Sequence, residues 1–354
     1  MRKKKILFLG ETYRADAITW MNGLKEFGDF EIITWELQTK GDGIDRIKRI
    51  FEFLKAVLEI KKIANAQSVD MIIAERTTSY GFLAALSGLK PIAIAQQGIT
   101  DIWPLQSPLN IFKKILQNYA FKKANIIHAW GPVIEKHMME EKVDMSKVFM
   151  MPKGINLSQF KYCSHSGITK IEAIVTRSLQ PEYKHCTILK AFSILKSKQI
   201  PFHLTIVGDG FLKENLMDLT KKLNLEKEIT FTGKINNTEL PKLLQLANTY
   251  ISMPTTEGVS ASLFEAMASG CFPSVTDLPG NRSWINHKIN GVLVPTEDEK
   301  SLAESIIWSY SNHEIMEKAI LENRRFVEKN ANYDINMKKI SEKYHELINQ
   351  NQVS

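Results

Sequence analysis

Cysteine is scarce. Cys163, Cys186 and Cys271 are the three in 354 residues, and no two stand at a metal or redox spacing. That excludes a disulfide scaffold and a thiolate zinc site. It fits a reducing compartment in which thiols pack as small apolar side chains. No apolar run is long enough to span a bilayer. The basic residues 2–5 precede only the short apolar run 6–9, too little for a secretory core, so this stretch reads as a first strand. No Asp-x-Asp pair closes a strand, and no His/Cys cluster has ligand spacing. A Gly-Lys-Ser/Thr phosphate loop and a Gly-x-Ser-x-Gly elbow are also missing, which leaves P-loop hydrolysis and serine hydrolysis without a basis. There is no solenoid repeat and no low-complexity tract.

What remains is a globular composition, 44% hydrophobic and 24% charged, in a chain too long for one ordinary core. The net charge of +7 is unevenly placed: residues 1–160 hold 23 Lys and Arg against 17 Asp and Glu, and the remainder is nearly neutral. An anionic partner for the first half is one reading: a membrane surface, a lipid phosphate or nucleic acid. A merely solvated basic face is the equal alternative. Two segments concentrate the charge, 44–66 and 109–123, the latter with Lys113, Lys114, Lys122 and Lys123 around Phe112 and Phe121.

Strand and helix patterns alternate throughout. In the first half, strands are expected at 3–9, 30–37, 71–74, 92–96, 126–130 and 148–151. Helices are expected at 15–27, 44–66, 80–87, 109–123 and 132–141, the second with Ile47, Ile50, Phe51, Leu54, Val57, Leu58 and Ile60 as its apolar residues at helical spacing. Pro152 to Asn156 reads as a hinge. Beyond it, strands are expected at 172–176, 202–207, 229–232, 249–253, 272–276 and 291–295, interleaved with helices, and an amphipathic helix at 335–349 closes the chain. The alternation predicts α/β architecture with two doubly wound Rossmann-like domains, 1–155 and 156–332. The helix within 333–354 is expected to pack back on the first.

One stretch carries chemistry, EGVSASLFEAMASG at 257–270. It opens on Glu257, continues through Gly258, Val259, Ser260, Ala261 and Ser262, and enters an apolar helical run that holds Glu265. Ser260 or Ser262 is a plausible N-cap, and a helix starting there would aim backbone N–H groups at an anion. An ordinary loop-to-helix junction is the bland alternative, since acids are common at helix starts. Arg177 follows one strand and Lys184 stands seven residues on. Two cations converging beyond a strand end suit an anionic ligand; surface cations in a loop are the bland alternative. FHLTIVGDG at 202–210 offers Gly-x-Gly without the third glycine or an acidic ribose partner, which rejects a dehydrogenase fingerprint.

The full run, E-x7-E into EAMASG, resembles the signature of the retaining glycosyltransferases of family four, whose fold is GT-B: two Rossmann-like domains facing a central cleft. The likeness covers roughly residues 152–295 closely and the first half only in layout. It implies a hexose moved from a nucleotide diphosphate sugar to a glycan or lipid-linked acceptor, with retention, without metal or other cofactor, in bacterial surface polysaccharide synthesis. It also implies a cytoplasmic enzyme, peripheral to the membrane if its basic half meets an anionic membrane surface, with no nucleic acid partner. Glu257, Arg177 and Lys184 take the catalytic positions. Glu265, Gly258, Val259, Ser260, Ala261 and Gly10 take donor-binding ones. Gln97 and Asp101 lie on the acceptor side, Gln97 near where relatives carry a His. The resemblance departs at His185, where the family has Gly after Lys, and at Gly280, Asn281 and Arg282. His128 and His137 read as structural. An epimerase of the same fold and a non-catalytic sugar-nucleotide binder are the alternatives; the first would release free sugar nucleotide and the second would turn nothing over.

Overall fold

The computed structural model describes residues 2–38, 45–96, 110–165, 167–236 and 238–353. The chain divides into two compact units, Met1–Lys153 with Asp334–Ser354, and Gly154–Tyr333.

Unit 1 runs β1 (Lys5–Leu9), α1 (Ala15–Gly28), β2 (Glu31–Trp35), α2 (Asp45–Gln67) and β3 (Met71–Glu75). A π-helical segment, Arg76–Gly81, leads into α3 (Phe82–Ser87) and β4 (Ile92–Gln96). Then come α4 (Asn110–Lys123), β5 (Ile126–Ala129), α5 (Pro132–Glu140) and β6 (Val148–Met150). The six strands are parallel in the order β2-β1-β3-β4-β5-β6. Strands β3 and β4, MIIAE and IAIAQ, are buried along their whole length. A parallel strand covered on both faces has no solvated side, so its sequence is a continuous apolar run rather than an alternation. Each fully buried Ile or Leu stabilises the sheet by roughly 1.5–3 kcal/mol. Edge strand β2 is only partly buried.

Two local expectations fail here. Periodicity placed a helix from Tyr80, but the turn before Phe82 is π-helical, and Gly81 lets it close on the Arg76 carbonyl, 3.1 Å from where a Cβ would sit. In α2, Leu58 is 70% exposed, and among the described side chains the buried stripe is Ala56, Ile60 and Ala64 at i, i+4, i+8.

Unit 2 runs β7 (Ile171–Val175), α6 (His185–Ser197), β8 (Phe202–Val207), α7 (Lys213–Lys222), β9 (Ile229–Gly233), α8 (Leu240–Leu246) and β10 (Thr249–Ser252). It continues with α9 (Ala261–Ser269), β11 (Phe272–Thr276), α10 (Pro279–Arg282), β12 (Val292–Val294), α11 (Glu299–Ser311) and α12 (His313–Asn330). Its parallel sheet has the order β12-β11-β10-β7-β8-β9. From β7 the chain builds outward to β9, then returns to add β10 on the other flank, pairing Thr249 with Ala173 and Tyr250 with Ile174. A crevice opens at the carboxyl ends of strands where the order reverses, and ligands of doubly wound sheets bind there. In unit 2 that point is between β7 and β10; in unit 1 it is between β1 and β3.

The last helix, α13 (Tyr333–Val353), returns to unit 1. Met337, Ile340, Tyr344 and Ile348 form its buried stripe. Tyr344 Oη lies 3.0 Å from His128 Nδ1, and His345 Nε2 lies 2.8 Å from the Gly28 carbonyl oxygen while its ring stacks on Phe30. His128 is therefore part of the packing, with its Nε2 on the Met151 carbonyl oxygen at 2.8 Å. Of the three thiols, Cys271 alone is buried, its Sγ on the Leu244 and Ala247 carbonyls; Cys186 is exposed.

Candidate functional site

The loop after β7 carries Arg177 and the loop after β10 carries Glu257 and Ser260, so the switch point of unit 2 brings together residues 80 apart in sequence. The Arg177 guanidinium forms an ion pair with Glu257, donates to Ser260 Oγ at 2.5 Å, and donates through Nε to Ser252 Oγ at 3.2 Å. Its face rests on Tyr183, 5.4 Å from the ring centroid. Burial works against the Arg177 charge, but Tyr250, Glu257 and Tyr183 outweigh it and hold the guanidinium above its ordinary pKa. It stays a permanent cation in a largely desolvated place.

Ser260 has a second duty. It is the N-cap of α9, accepting from the Leu263 N–H at 3.3 Å, which decides between the two candidate caps. Gly258 and Val259 lie in the loop between Glu257 and the cap, and Ala261 is the first helical residue. Glu265 follows one turn on, half-buried on α9. Burial pushes its carboxyl up to about 7, against the pull of the Arg177 charge. Gly270 ends the helix in the left-handed conformation, φ 99°.

The other motifs prove to be supports. Gly208, at φ 142°, and Gly210 let the turn after β8 lie on the Arg177 and Leu179 carbonyls; a Cβ would come within 2.5 and 2.6 Å of those oxygens. Gly280 sits against the carbonyls of Glu257 and Gly258, with no room for a Cβ, and Asn281 Nδ2 donates to the Thr276 carbonyl at 2.8 Å. Thr255 N–H donates to the Glu182 carbonyl at 2.9 Å, joining the loop before Glu257 to the one before Lys184. Lys184 itself has φ 49° and is the N-cap position before α6; its Nζ pairs with Glu297 at 2.9 Å. His185 is therefore helical. The left-handed residue is Lys184, so the missing family glycine costs the loop nothing at 185. His185 is buried, which pushes its imidazole down to about 4 and keeps it neutral.

In unit 1, Gly10 follows β1. Its N–H donates to the Trp35 carbonyl at 3.3 Å, and its missing side chain makes room for the Glu75 carboxyl. Gln97 and Asp101 lie outside the described residues. Sequence reasoning missed Ser252, Tyr183 and Glu297, which carry no signal apart from the strand order. It also missed Glu75, whose one signal is an acid ending an otherwise apolar strand, MIIAE. Among the described residues no three His, Cys, Asp or Glu side chains converge as a metal site, and no helix is long and apolar enough to cross a membrane.

Two family models match the chain in sequence. "Glycosyl transferase 4-like" covers residues 5–129, and "Glycosyl transferases group 1" covers 165–326. Protein CapJ of Staphylococcus aureus is 26% identical over 90% of this chain and 76% of its own length. The Escherichia coli UDP-Gal:alpha-D-GlcNAc-diphosphoundecaprenol alpha-1,3-galactosyltransferase is 21% identical over 72% of this chain and 70% of its own. Anabaena HepE, solved in complex with UDP, superimposes with a TM-score of 0.77 at 15% identity, over 97% of this chain and 100% of that one. That likeness is one of fold.

Proposed function

We propose, for a chain that belongs to the GT-B glycosyltransferases of the family-four type, that it moves a hexose from a UDP-sugar to a polyprenyl-diphosphate-linked glycan in bacterial surface polysaccharide synthesis. The observation that carries the reading is the Arg177–Glu257–Ser260 cluster at the switch point of unit 2, with Glu265 on the helix that Ser260 caps.

Each group has a job that its chemistry suits. Arg177, with Lys184, neutralises the diphosphate as it leaves; a guanidinium fork can hold a carboxylate on one edge and still offer N–H groups to phosphate oxygens. Glu265 accepts both hydroxyls of the ribose diol, which two carboxylate oxygens do well. Glu257 meets the sugar hydroxyls, and the backbone of Gly258, Val259, Ser260 and Ala261 lets the donor approach. The departing diphosphate takes the acceptor proton on the face it leaves, so the anomeric configuration is kept. These cations do the electrostatic work that a divalent ion does elsewhere. Unit 1 takes the acceptor, with Gln97 and Asp101 assigned to it, while Gly10 at the turn after β1 serves the donor.

A cytoplasmic, peripheral station at an anionic membrane face fits a lipid-linked acceptor. The first turns of α4 support it: Ile111 is 81%, Ile115 61% and Phe112 57% exposed, with Lys114, paired to Glu141, among them and the exposed Lys122 and Lys123 on the last turn. Apolar insertion with basic flanks is how interfacial helices hold acidic lipid. Phe121, expected at that surface, is buried; it lies nine residues from Phe112, half a turn round the helix.

The test is a panel of UDP-sugars with a polyprenyl diphosphate N-acetylglucosamine acceptor, the product's anomeric configuration being read by NMR. A transferred hexose with the donor's configuration is expected. A product of inverted configuration overturns retention, and failure to bind any nucleotide sugar overturns the donor site.

A further inference from the structure

Unit 1 has its own switch point, between β1 and β3, and a polar cluster lies at the carboxyl ends of those strands. Glu75 ends β3 and is 4% exposed. Its carboxyl lies under Gly10, where a Cβ would come within 2.6 Å of Oε2, and it accepts the backbone N–H of Glu11. The next residue, Arg76, is held in the left-handed region at φ 61°, a conformation a long side chain rarely adopts. From there its guanidinium forks onto the Glu11 carboxylate at 2.9 and 2.7 Å. Glu11 and Arg76 are 23% and 34% exposed, so the pair rims the crevice while Glu75 floors it. Arg14 also reaches Glu11, at 3.1 Å.

Among the described residues, charged groups face Glu75 from several elements. Asp16 comes from α1, Arg14 from its N-cap, Glu11 from the β1 turn, Arg76 from the π segment and Lys153 from the stretch after β6. Lys153 is itself committed, donating to the Asp16 carbonyl at 2.6 Å with its ammonium over the Trp130 ring. Burial, reinforced by Asp16, lifts the Glu75 carboxyl to about 7 against the pull of Lys153, Arg76 and the Glu11 amide. A buried acid that is costly to ionise, beside a left-handed arginine and a π turn, is a poor choice for stability alone. Glutamine would fill the same space without the charge. Such features gather where function keeps them.

We infer that Glu75 is a positioning residue for the acceptor: its carboxylate holds the Glu11–Arg76 pair at the mouth of the β1–β3 crevice, where that pair grips hydroxyls of the acceptor saccharide. A carboxylate that accepts and a guanidinium that donates, fixed side by side, match vicinal sugar hydroxyls. This rests on the transferase reading above, with unit 1 taking the acceptor. The charged form of Glu75 holds the Glu11 N–H more firmly than the neutral acid does, since charge-assisted hydrogen bonds are the stronger ones.

Calorimetry on the full chain at pH 6 and pH 8 tests this, with UDP as the donor-side probe and a short-chain polyprenyl diphosphate N-acetylglucosamine as the acceptor probe. The parent is expected to bind the acceptor probe several-fold more weakly at pH 6. Glu75→Gln is expected to bind it about tenfold more weakly than the parent at pH 8, with no pH step, with UDP binding unchanged and with a melting temperature at or above the parent's. Glu11→Gln, which removes the grip itself, is expected to lose acceptor binding at both pH values. A parent that does not bind the acceptor probe overturns the inference. So does Glu75→Gln keeping full affinity at pH 8, or losing UDP binding or melting temperature in step with acceptor binding. A parent that fails to bind UDP overturns the donor-site reading instead.

Discussion

The α-carbon of Gly280 lies against the carbonyl oxygen of Glu257, with no space between them for a β-carbon. The short helix α10 is thus a buttress for the loop that carries the acid. Gly280→Ala should fold, because the strain is local and the loop can shift, but the shift moves Glu257 and its partner Arg177. Turnover should fall by about 10²-fold, the scale of an ångström-sized misplacement, with UDP affinity changed far less. Equal losses in both would mean the loop collapses.

Arg177 and Lys184 are each held by a carboxylate, Glu257 and Glu297 respectively. Arg177→Ala should lower kcat by about 10²-fold or more. Lys184→Ala should act in the same direction, and Glu297→Gln, which removes only the partner, should leave most activity. Transfer should survive excess chelator. Loss of transfer with chelator, restored by magnesium or manganese, would show that these cations do not suffice.

Glu265 titrates near 7 because burial raises it. A carboxylate accepts from the ribose diol better than the neutral acid, so UDP affinity should fall as pH drops through about 7. Glu265→Gln should abolish that pH dependence and bind UDP more weakly at pH 8, by about 1–3 kcal/mol. Calorimetric titration from pH 5.5 to 8.5 is the measurement. A parent with flat affinity across that range would sink the assignment.

Two buried groups of unit 1 pull its stability in opposite directions. Burial lifts Glu75 to about 7, so its contribution is present below the ordinary carboxylate range and lost as pH rises through 7. Burial lowers His128 to about 4, with Lys153 adding and the Met151 carbonyl opposing. That contribution is present above the ordinary imidazole range and lost as pH falls from about 6.5 toward 4. Between the two ranges they largely cancel in the parent. Glu75→Gln removes one, so the variant's unfolding free energy should fall on acidification from pH 6.5 toward 4, by on the order of 3 kcal/mol, and its melting temperature with it. A variant curve that parallels the parent's would contradict this.

Membrane attachment should depend on the apolar tip of α4 as well as on charge. Ile111→Ser with Ile115→Ser should release the protein from anionic vesicles in sedimentation at low salt, while turnover of a short-chain soluble acceptor stays unchanged. Lys122→Ser with Lys123→Ser should weaken binding at low salt and leave what remains less salt-sensitive. A parent that ignores anionic vesicles at low salt would leave the first half merely basic.

What the sequence determined by itself was whatever local periodicity encodes. The apolar runs of β3 and β4, the helical stripes and the turn glycines suffice for two α/β units, because a parallel strand buried on both faces has little other composition open to it. The run from Glu257 to Gly270 also disclosed its acids and two candidate caps, between which the structure chose Ser260. Tertiary structure alone decided which residues meet. Arg177 reaches Glu257 because β10 joins the sheet beside β7 rather than beside β9, and strand order is a long-range choice that no window of sequence contains. The same choice sets β3 beside β1 and so puts Glu75 under Gly10. Phe121 turned inward and Leu58 outward for a related reason: an apolar residue on a helix states its own preference, but the neighbouring elements decide which side is covered.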